Sequence, residues 1–321
     1  MCIRDSAYGL PRARLEHHYD EDRLMDALLR VIAARDAAGE PGVRIEPHCK
    51  MCRWNTLCQS LARVDGNIDL LYALPRTTRA NMRRAGITTL SQVIAASPEE
   101  LQAVKGIGAK TATRIRTNAR AWVENGPVWC APLPDHTRAP GWMFDLETHE
   151  VKGKTVPWCM GWCDVEGRTH ITLVNAVELP QTVMLPSGER VTYAPDSDSA
   201  WEVFADSVAG DDSPIYHWTG YDAALLRGSA PAHVVERLLP RFSDLHATFR
   251  QSVTLPLKST SIKPVSVYFG FEWPGHQDYR AAYIDYCYWL DSADPEALTR
   301  SVTYQRADVQ SMALVWRWLV D

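Results

Sequence analysis

Trp142-Met143-Phe144-Asp145-Leu146-Glu147-Thr148 is an apolar run broken by two acids at positions i and i+2. In an extended strand successive side chains point to opposite faces, so Asp145 and Glu147 share one face. Two carboxylates side by side on a half-buried strand repel each other. A divalent cation between them removes that repulsion, and hard cations take oxygen ligands. The run therefore predicts a strand presenting two metal ligands. A surface strand with a polar face would hold the same acids harmlessly, but Trp142, Met143, Phe144 and Leu146 argue for burial.

Working outward, short apolar runs at 141–146, 158–163 and 171–174 predict strands separated by turns, and helical periods follow at 200–209 and 234–239. Ile215-Tyr216-His217-Trp218-Thr219-Gly220-Tyr221-Asp222 leads from a short strand into a helix carrying Leu225 and Leu226, which puts Asp222 at a strand-to-helix junction. Near the C-terminus, Tyr304-Gln305-Arg306-Ala307-Asp308 is read as opening a helix whose apolar stripe is Val309, Met312, Trp316 and Leu319. Tyr304 and Asp308, four residues apart, are neighbours on one helical face. The result is an α/β domain over 141–321.

The order of these motifs resembles the DEDD exonucleases in their tyrosine variant: Asp-x-Glu on a first strand, His217-x3-Tyr221-Asp222, then Tyr304-x3-Asp308 on a last helix. Within that group Leu255-Pro256-Leu257-Lys258-Ser259-Thr260-Ser261-Ile262-Lys263 is similar to the YprB-type RNase H-like domain. The resemblance implies that Asp145, Glu147, Asp222 and Asp308 hold two Mg²⁺ or Mn²⁺ ions. One ion would activate a water against the scissile phosphorus and the other stabilise the departing 3′ oxygen. Tyr304 would hydrogen-bond the attacking water. His217 stands where many relatives have Asn and is expected to serve local hydrogen bonding. A degenerate scaffold that binds without cutting would be expected to have lost an acid, and none is lost.

Upstream, positions 76–120 hold nine Lys or Arg against Glu99 and Glu100, a local balance of +7 within a chain of net charge −5, which leaves −12 for the rest. A basic segment in an acidic chain suggests a polyanion partner. Leu101 to Ala112, with Lys105-Gly106-Ile107-Gly108-Ala109-Lys110 at its centre, resembles a helix-hairpin-helix motif. Its glycines let a tight turn present free backbone N–H groups to a phosphate at the start of the next helix. Lys105, Gly106, Gly108, Lys110 and Arg114 are the candidate DNA- or RNA-binding residues, with Arg116 adding charge. A degenerate first hairpin is expected around Gly86-Ile87. A helical spacer without ligand is the plainer alternative.

Of eight cysteines, Cys49, Cys52 and Cys58 are clustered as C-x2-C-x5-C and the others, Cys2, Cys130, Cys159, Cys163 and Cys287, are scattered. That usage points to a reducing, cytoplasmic setting and a bound metal or cluster rather than a disulfide framework. The segment resembles the C-terminal part of the iron–sulfur site of RecB-family nucleases. The resemblance implies a [4Fe-4S] cluster, incomplete in this fragment because its first cysteine lies upstream with the missing nuclease acids. A zinc site using His48, or unligated thiols, are the alternatives.

Met1-Cys2-Ile3-Arg4-Asp5-Ser6 reads as non-native sequence, the translation of a transposon end, and Cys2 is set aside with it. The expected organisation is 7–65 as the C-terminal remnant of a RecB-type nuclease domain, 66–124 as a small all-α helix-hairpin-helix region, 125–140 as a proline-bearing linker and 141–321 as an RNase H-like mixed-sheet domain. In 7–47 a helix carrying Leu24, Leu28 and Ile32 is expected, capped by Asp20 and ending before Gly39-Glu40-Pro41-Gly42. No run is long and apolar enough to predict a membrane span. The leading expectation is a metal-dependent 3′→5′ exonuclease acting on DNA or RNA, with a nuclease or helicase domain missing from this fragment. The alternatives are a non-catalytic nucleic-acid-binding module and a structure-selective endonuclease using the same acids.

Overall fold

The structure, a computed structural model, describes residues 21–36, 43–46, 49, 52–175, 177–185, 190–275 and 278–321. The proposed non-native start, the Asp20 cap, the Gly39–Gly42 helix end and His48 lie outside them. The chain divides into two compact units, Met1–Arg44 and Ile45–Asp321. In the first, α1 (Glu21–Asp36) is the helix expected from Leu24, Leu28 and Ile32.

The second unit begins with helices: α2 (Asn55–Val64), α3 (Arg76–Arg84), α4 (Leu90–Ala95), α5 (Pro98–Ala103) and α6 (Ala109–Glu124). Thr89 with Gln92, and Ser97 with Glu100, form reciprocal capping boxes that start α4 and α5. The α3–α4 and α5–α6 turns pass through Gly86 and Gly106 at φ 80° and 96°, a conformation open to glycine. At Gly106 a Cβ would also stand 2.7 Å from Thr78 Oγ1, so the two hairpins pack too closely there for any side chain. Met82, Leu90, Val93, Leu101, Ile107 and Ile115 form their shared interior.

The proline-bearing stretch after α6 is docked. Its strand β1 (Val128–Trp129) pairs antiparallel with a later strand at Val253 and Thr254. Tyr216 donates its hydroxyl hydrogen to the Ala139 carbonyl at 2.8 Å, and the Trp316 indole N–H donates to the Thr137 carbonyl at 2.8 Å. Asn118 on α6 donates to the Leu255 carbonyl at 3.1 Å.

A seven-stranded mixed sheet follows. It holds β2 (Trp142–Val151), β3 (Lys154–Cys163), β4 (Thr169–Val174), β5 (Gln181–Met184), β6 (Arg190–Ala194), β7 (Ile215–His217) and β8 (Phe242–Asp244) in the order β5-β6-β4-β3-β2-β7-β8. Lys152 and Gly153, both at positive φ, make the two-residue turn of the β2–β3 hairpin. β2 runs antiparallel to β3 and parallel to β7, so it lies inside the sheet.

Helices cover both faces. Over one lie α7 (Ser197–Ser207), α8 (Tyr221–Ser229) and α9 (Ala232–Leu238), where Phe144, Leu146, Trp162, Trp201, Phe204 and Leu238 pack together. On the other side α10 (Leu245–Ser252), the short strand β9 (Val253–Thr254), α11 (Ile262–Tyr268), α12 (Tyr279–Ser292) and α13 (Pro295–Val320) complete the chain. There Met143 and Cys163 meet Val265, Val309, Met312 and Trp316. This is the mixed-sheet α/β architecture with a preceding helical hairpin region that the strand and helix periods imply. One boundary differs from the sequence reading: the last helix does not open at Tyr304. Asp294 caps it by accepting from the Glu296 N–H at 2.9 Å, Pro295 supplies its first residue, and Leu298 and Val302 extend the apolar stripe backwards. Tyr304 and Asp308 therefore sit mid-helix. Among the described residues no helix is long and apolar enough to cross a membrane.

Candidate metal centre and nucleic-acid interface

Alternation along β2 places Phe144 and Leu146 towards α7 and turns Met143, Asp145 and Glu147 towards α13. A bulge follows Glu147, where the register with β3 shifts between Glu147 and Thr148. Such a bulge re-aims a side chain. Facing this strand, α13 brings Asp308 down onto the acids. Asp145, Glu147 and Asp308 each offer an oxygen within 4.8 Å of the others, and no other group of three or more His, Cys, Asp or Glu among the described residues is so tight. The close approach of α13 depends on Gly161, which pairs with Asp145 across β3. A Cβ there would lie 2.8 Å from Gln305 Cγ.

Asp222 stands outside that three-oxygen group but belongs to the same electrostatic site. β7 turns away after pairing with Trp142 and Met143 only, and the chain enters α8 through Thr219 at φ 84°. His217 closes this turn by a ring-nitrogen contact with the Thr219 carbonyl. Asp222, 3% exposed in the first turn of α8, comes up against β2 near the Leu146 backbone, beside the charges of Asp145 and Glu147.

Burial is the first cause of every carboxyl shift here. Asp145 is raised to about 6 by burial, against the Gln305 hydrogen bond and the Lys263 charge. Glu147 is raised to about 9 by burial and by the neighbouring charges of Asp145 and Asp308, against Lys263 and Tyr304. Asp222 and Asp308 lie well above the ordinary carboxylate range, burial being the main cause and Asp145 the next. The Oδ2 oxygen of Asp308 is buried and has no hydrogen-bond partner among the described residues. Oxygen donors only, mutual repulsion and an orphaned buried oxygen are what a hard divalent cation would satisfy. The residues fit such an ion.

Three neighbours organise the acids. Gln305 donates to the Asp145 carboxylate at 2.9 Å and to its backbone carbonyl at 3.0 Å. Tyr304, whose hydroxyl lies beside Glu147 and Asp308 and favours their ionised forms, accepts from Lys263 Nζ at 3.0 Å. Lys263 enters from the first turn of α11 and lowers the pKa of Asp145, Glu147 and Asp308. Sequence reasoning gave no role to Lys263 or Gln305. Their signals were modest: Lys263 closes the 255–263 motif, and Gln305 adjoins Tyr304.

At the hairpins, Lys105, Gly106, Gly108 and Lys110 are exposed around the α5–α6 turn and the first turn of α6. Arg114 faces inward, donating to the Tyr72 carbonyl at 2.6 Å and the Ala73 carbonyl at 3.2 Å. Arg79 and Arg83 pair with the buried Asp69 at 3.1 and 2.6 Å. Part of the local positive balance is therefore consumed internally, and the exposed lysines mark the face left for a polyanion.

Among the described residues the cysteines show no comparable convergence. Cys49 and Cys58 are partly buried and Cys52 is exposed, and they form no group able to share one ion. Cys49 Sγ instead accepts from the Glu46 N–H at 3.3 Å. Cys130 is exposed beside Thr254, Cys159 and Cys163 are buried in β3, and Cys287 lies on α12. Three thiols are one short of a four-cysteine set, so the described residues give no support to an iron–sulfur centre.

Comparison with known families matches residues 142–320 to the RNase H superfamily. Residues 76–121 match a SAM-like helix-hairpin-helix tandem, which covers both hairpins. No curated protein matches the chain.

Proposed function

The chain belongs to the RNase H superfamily, and from that membership we propose that it is a metal-dependent nuclease removing nucleotides from the 3′ end of DNA or RNA. The observation that carries this reading is the convergence of Asp145, Glu147 and Asp308 within 4.8 Å. Asp222, buried beside Asp145 and Glu147, completes the ligand set. Divalent ions held by these acids would supply a water of lowered pKa and charge stabilisation for the departing 3′ oxygen.

The protein's own groups prepare that chemistry. Gln305 fixes the Asp145 carboxylate by its amide. Lys263 donates to Tyr304, so the Tyr304 oxygen is occupied as an acceptor and its proton is directed to another oxygen. That proton can be given to a water or to a phosphate oxygen seated against Glu147 and Asp308. The Lys263 charge faces the place where phosphate charge accumulates. The exposed hairpin turn at Lys105–Lys110 holds the backbone without reading bases.

The test uses a single strand labelled at its 5′ end and incubated with Mn²⁺. Progressive shortening from the 3′ end, lost in Asp145→Asn with an unchanged circular dichroism spectrum, is expected. Full activity in Asp145→Asn would exclude the assigned site. Cutting of a closed circular strand would indicate endonuclease action by the same acids, and salt-sensitive binding without turnover would leave a binding module.

A further inference from the structure

At the seam between the helical hairpins and the sheet domain, a cleft of about 320 Å³ lies between α2, α6 and the stretch running from β9 to the end of α11. That volume is in the range of pockets that take small organic ligands. The half-buried rings of Trp122 and Tyr268 line it together with Leu257, over a floor that includes Leu70 and Leu90. Arg63 and Asn125, both exposed, stand at its rim. No carboxylate is among the described residues that line it.

Both rings are held in place by the fold. The Trp122 indole N–H donates to the Leu70 carbonyl at 3.1 Å. Tyr268 meets Phe269 edge to face at 5.1 Å, and Phe269 is in turn stacked on Trp318 at 4.2 Å. Rings fixed before a ligand arrives lose little freedom when it binds. Arg63 lies over the Trp122 ring at 5.3 Å, and Asn125 ends α6 at φ 50° with an amide that can both donate and accept. Aromatic rings take any base, because every base has a π-face. A guanidinium on the same rim suits the phosphate joined to that base.

Two helices join the cleft to the rest of the polyanion face. α11 ends at Tyr268 in the cleft, and Lys263 in its first turn donates to Tyr304 beside the acids. Those two positions are roughly 8 Å apart along the helix axis, short enough for one strand to reach both. α6 begins at the hairpin turn with the exposed Lys110 and carries Trp122 in its last turn. The cationic turn and the cleft therefore sit at opposite ends of one helix.

We propose that this cleft receives one unpaired base of a nucleic acid strand, stacked against Trp122 and Tyr268, with the adjoining phosphate at Arg63. A strand fits better than a free nucleotide, because the cleft is joined by α6 and α11 to two further places that suit a phosphate backbone. The proposal rests on the nuclease reading only for the presence of that strand; the acids take no part in the stacking.

The test is equilibrium binding by fluorescence anisotropy, on the full chain carrying Asp145→Asn and in the presence of a chelator. A labelled single strand, oligo-dA, and a labelled duplex of the same length are the probes. Tyr268→Leu keeps apolar volume and removes the ring. It is expected to weaken single-strand binding by about tenfold with the salt slope unchanged, since stacking releases no counterions. Tyr268→Phe keeps the ring and is expected to bind like the parent. Arg63→Ala is expected to lower the single-strand salt slope by about one, the loss of one phosphate contact. Duplex binding should stay unchanged throughout, because a paired base cannot enter the cleft, and this also reports an intact fold. Should Tyr268→Leu lose the duplex as well, Arg63→Ala decides alone. Single-strand binding unchanged in Tyr268→Leu overturns the proposal, as does an equal loss in Tyr268→Phe or a salt slope unchanged in Arg63→Ala. Failure of the parent to bind the single strand overturns it too. Displacement of the strand by micromolar dAMP would make the cleft a mononucleotide site, and displacement by a proline-rich peptide a protein-docking site; either contradicts it. Cleavage is never read, so a chain that cuts nothing can still pass, and a chain that cuts can still fail.

Discussion

Lys263 Nζ donates to the Tyr304 hydroxyl at 3.0 Å and lies 4.4 Å from the centroid of the same ring. One ammonium group is thereby set against both the oxygen and the face of the tyrosine, with the Trp273 ring 4.9 Å away on its other contact. The arrangement ties α11 to α13 at the point where α13 delivers Asp308. It also places a positive charge beside three acids that burial drives towards their neutral forms.

Replacing Lys263 by Met keeps the length of the side chain and removes the charge and the donor. The account predicts a fall in kcat of about 10²-fold with a smaller change in KM, the size associated with a lost polar group at the reacting phosphate. Steady-state kinetics on a labelled single strand checks it. An unchanged kcat would show that the lysine serves packing alone.

Gly161→Ala is expected to disturb the acids from behind. The added Cβ would meet Gln305 Cγ at 2.8 Å and Ile171 Cδ1 at 3.2 Å, and Gln305 is fully buried. Overpacking of this kind costs about 1–3 kcal/mol. Denaturant unfolding should show that loss, together with weaker Mn²⁺ binding because Gln305 no longer holds Asp145. A variant as stable as the parent, with the same Mn²⁺ affinity, would mean that α13 yields freely.

The raised carboxyl values fix a pH dependence. Asp145 and Glu147 move from ordinary values of 3.8 and 4.5 to about 6 and about 9 in the folded chain. Between those limits the folded state binds more protons than the unfolded state, so stability falls as pH rises. Without metal, the melting temperature should therefore decline from about pH 5 to about pH 9. Mn²⁺ or Mg²⁺ should restore it most strongly at the alkaline end, because the ion neutralises the ionised acids. Thermal unfolding in chelator and in metal, across that range, reads both effects. A metal-free protein that gains stability with pH would contradict the repulsion argued here.

The hairpin residues divide into two classes. Replacing Lys105 and Lys110 together by Ala should lower the slope of log affinity against log salt by about two and leave the melting temperature unchanged. Arg83→Ala should instead destabilise the chain by about 2 kcal/mol or more, because Arg83 pairs at 2.6 Å with an Asp69 that is 2% exposed. Binding isotherms at several salt concentrations and unfolding curves separate the classes.

What could be read beforehand follows from how local each feature is. The i, i+2 acids of β2 and the i, i+4 pair on α13 are set by strand and helix periods, and the structure brings Asp145, Glu147 and Asp308 together. The turn at Gly106 was legible for the same reason. Lys263 and Gln305 were not, because their importance arises only when α11 and α13 pack against β2. Arg79, Arg83 and Arg114 count as positive charge in a linear window, yet tertiary contacts to Asp69, Tyr72 and Ala73 absorb them. The start of α13 was misplaced by about two and a half turns because the Asp294-Pro295 cap lies well before the motif that drew notice. The 125–140 stretch shows prolines in sequence, whereas its pairing partner, β9, is more than a hundred residues away.

The central claim is that the clustered acids share divalent metal. Calorimetric titration of Mn²⁺ into the full chain, in parallel with Asp308→Asn, tests it most directly. The account predicts saturable binding in the parent and at least about tenfold weaker binding in the variant, since Asp308 supplies one of the three converging oxygens. Identical isotherms for the two proteins, or no binding by the parent, would contradict it.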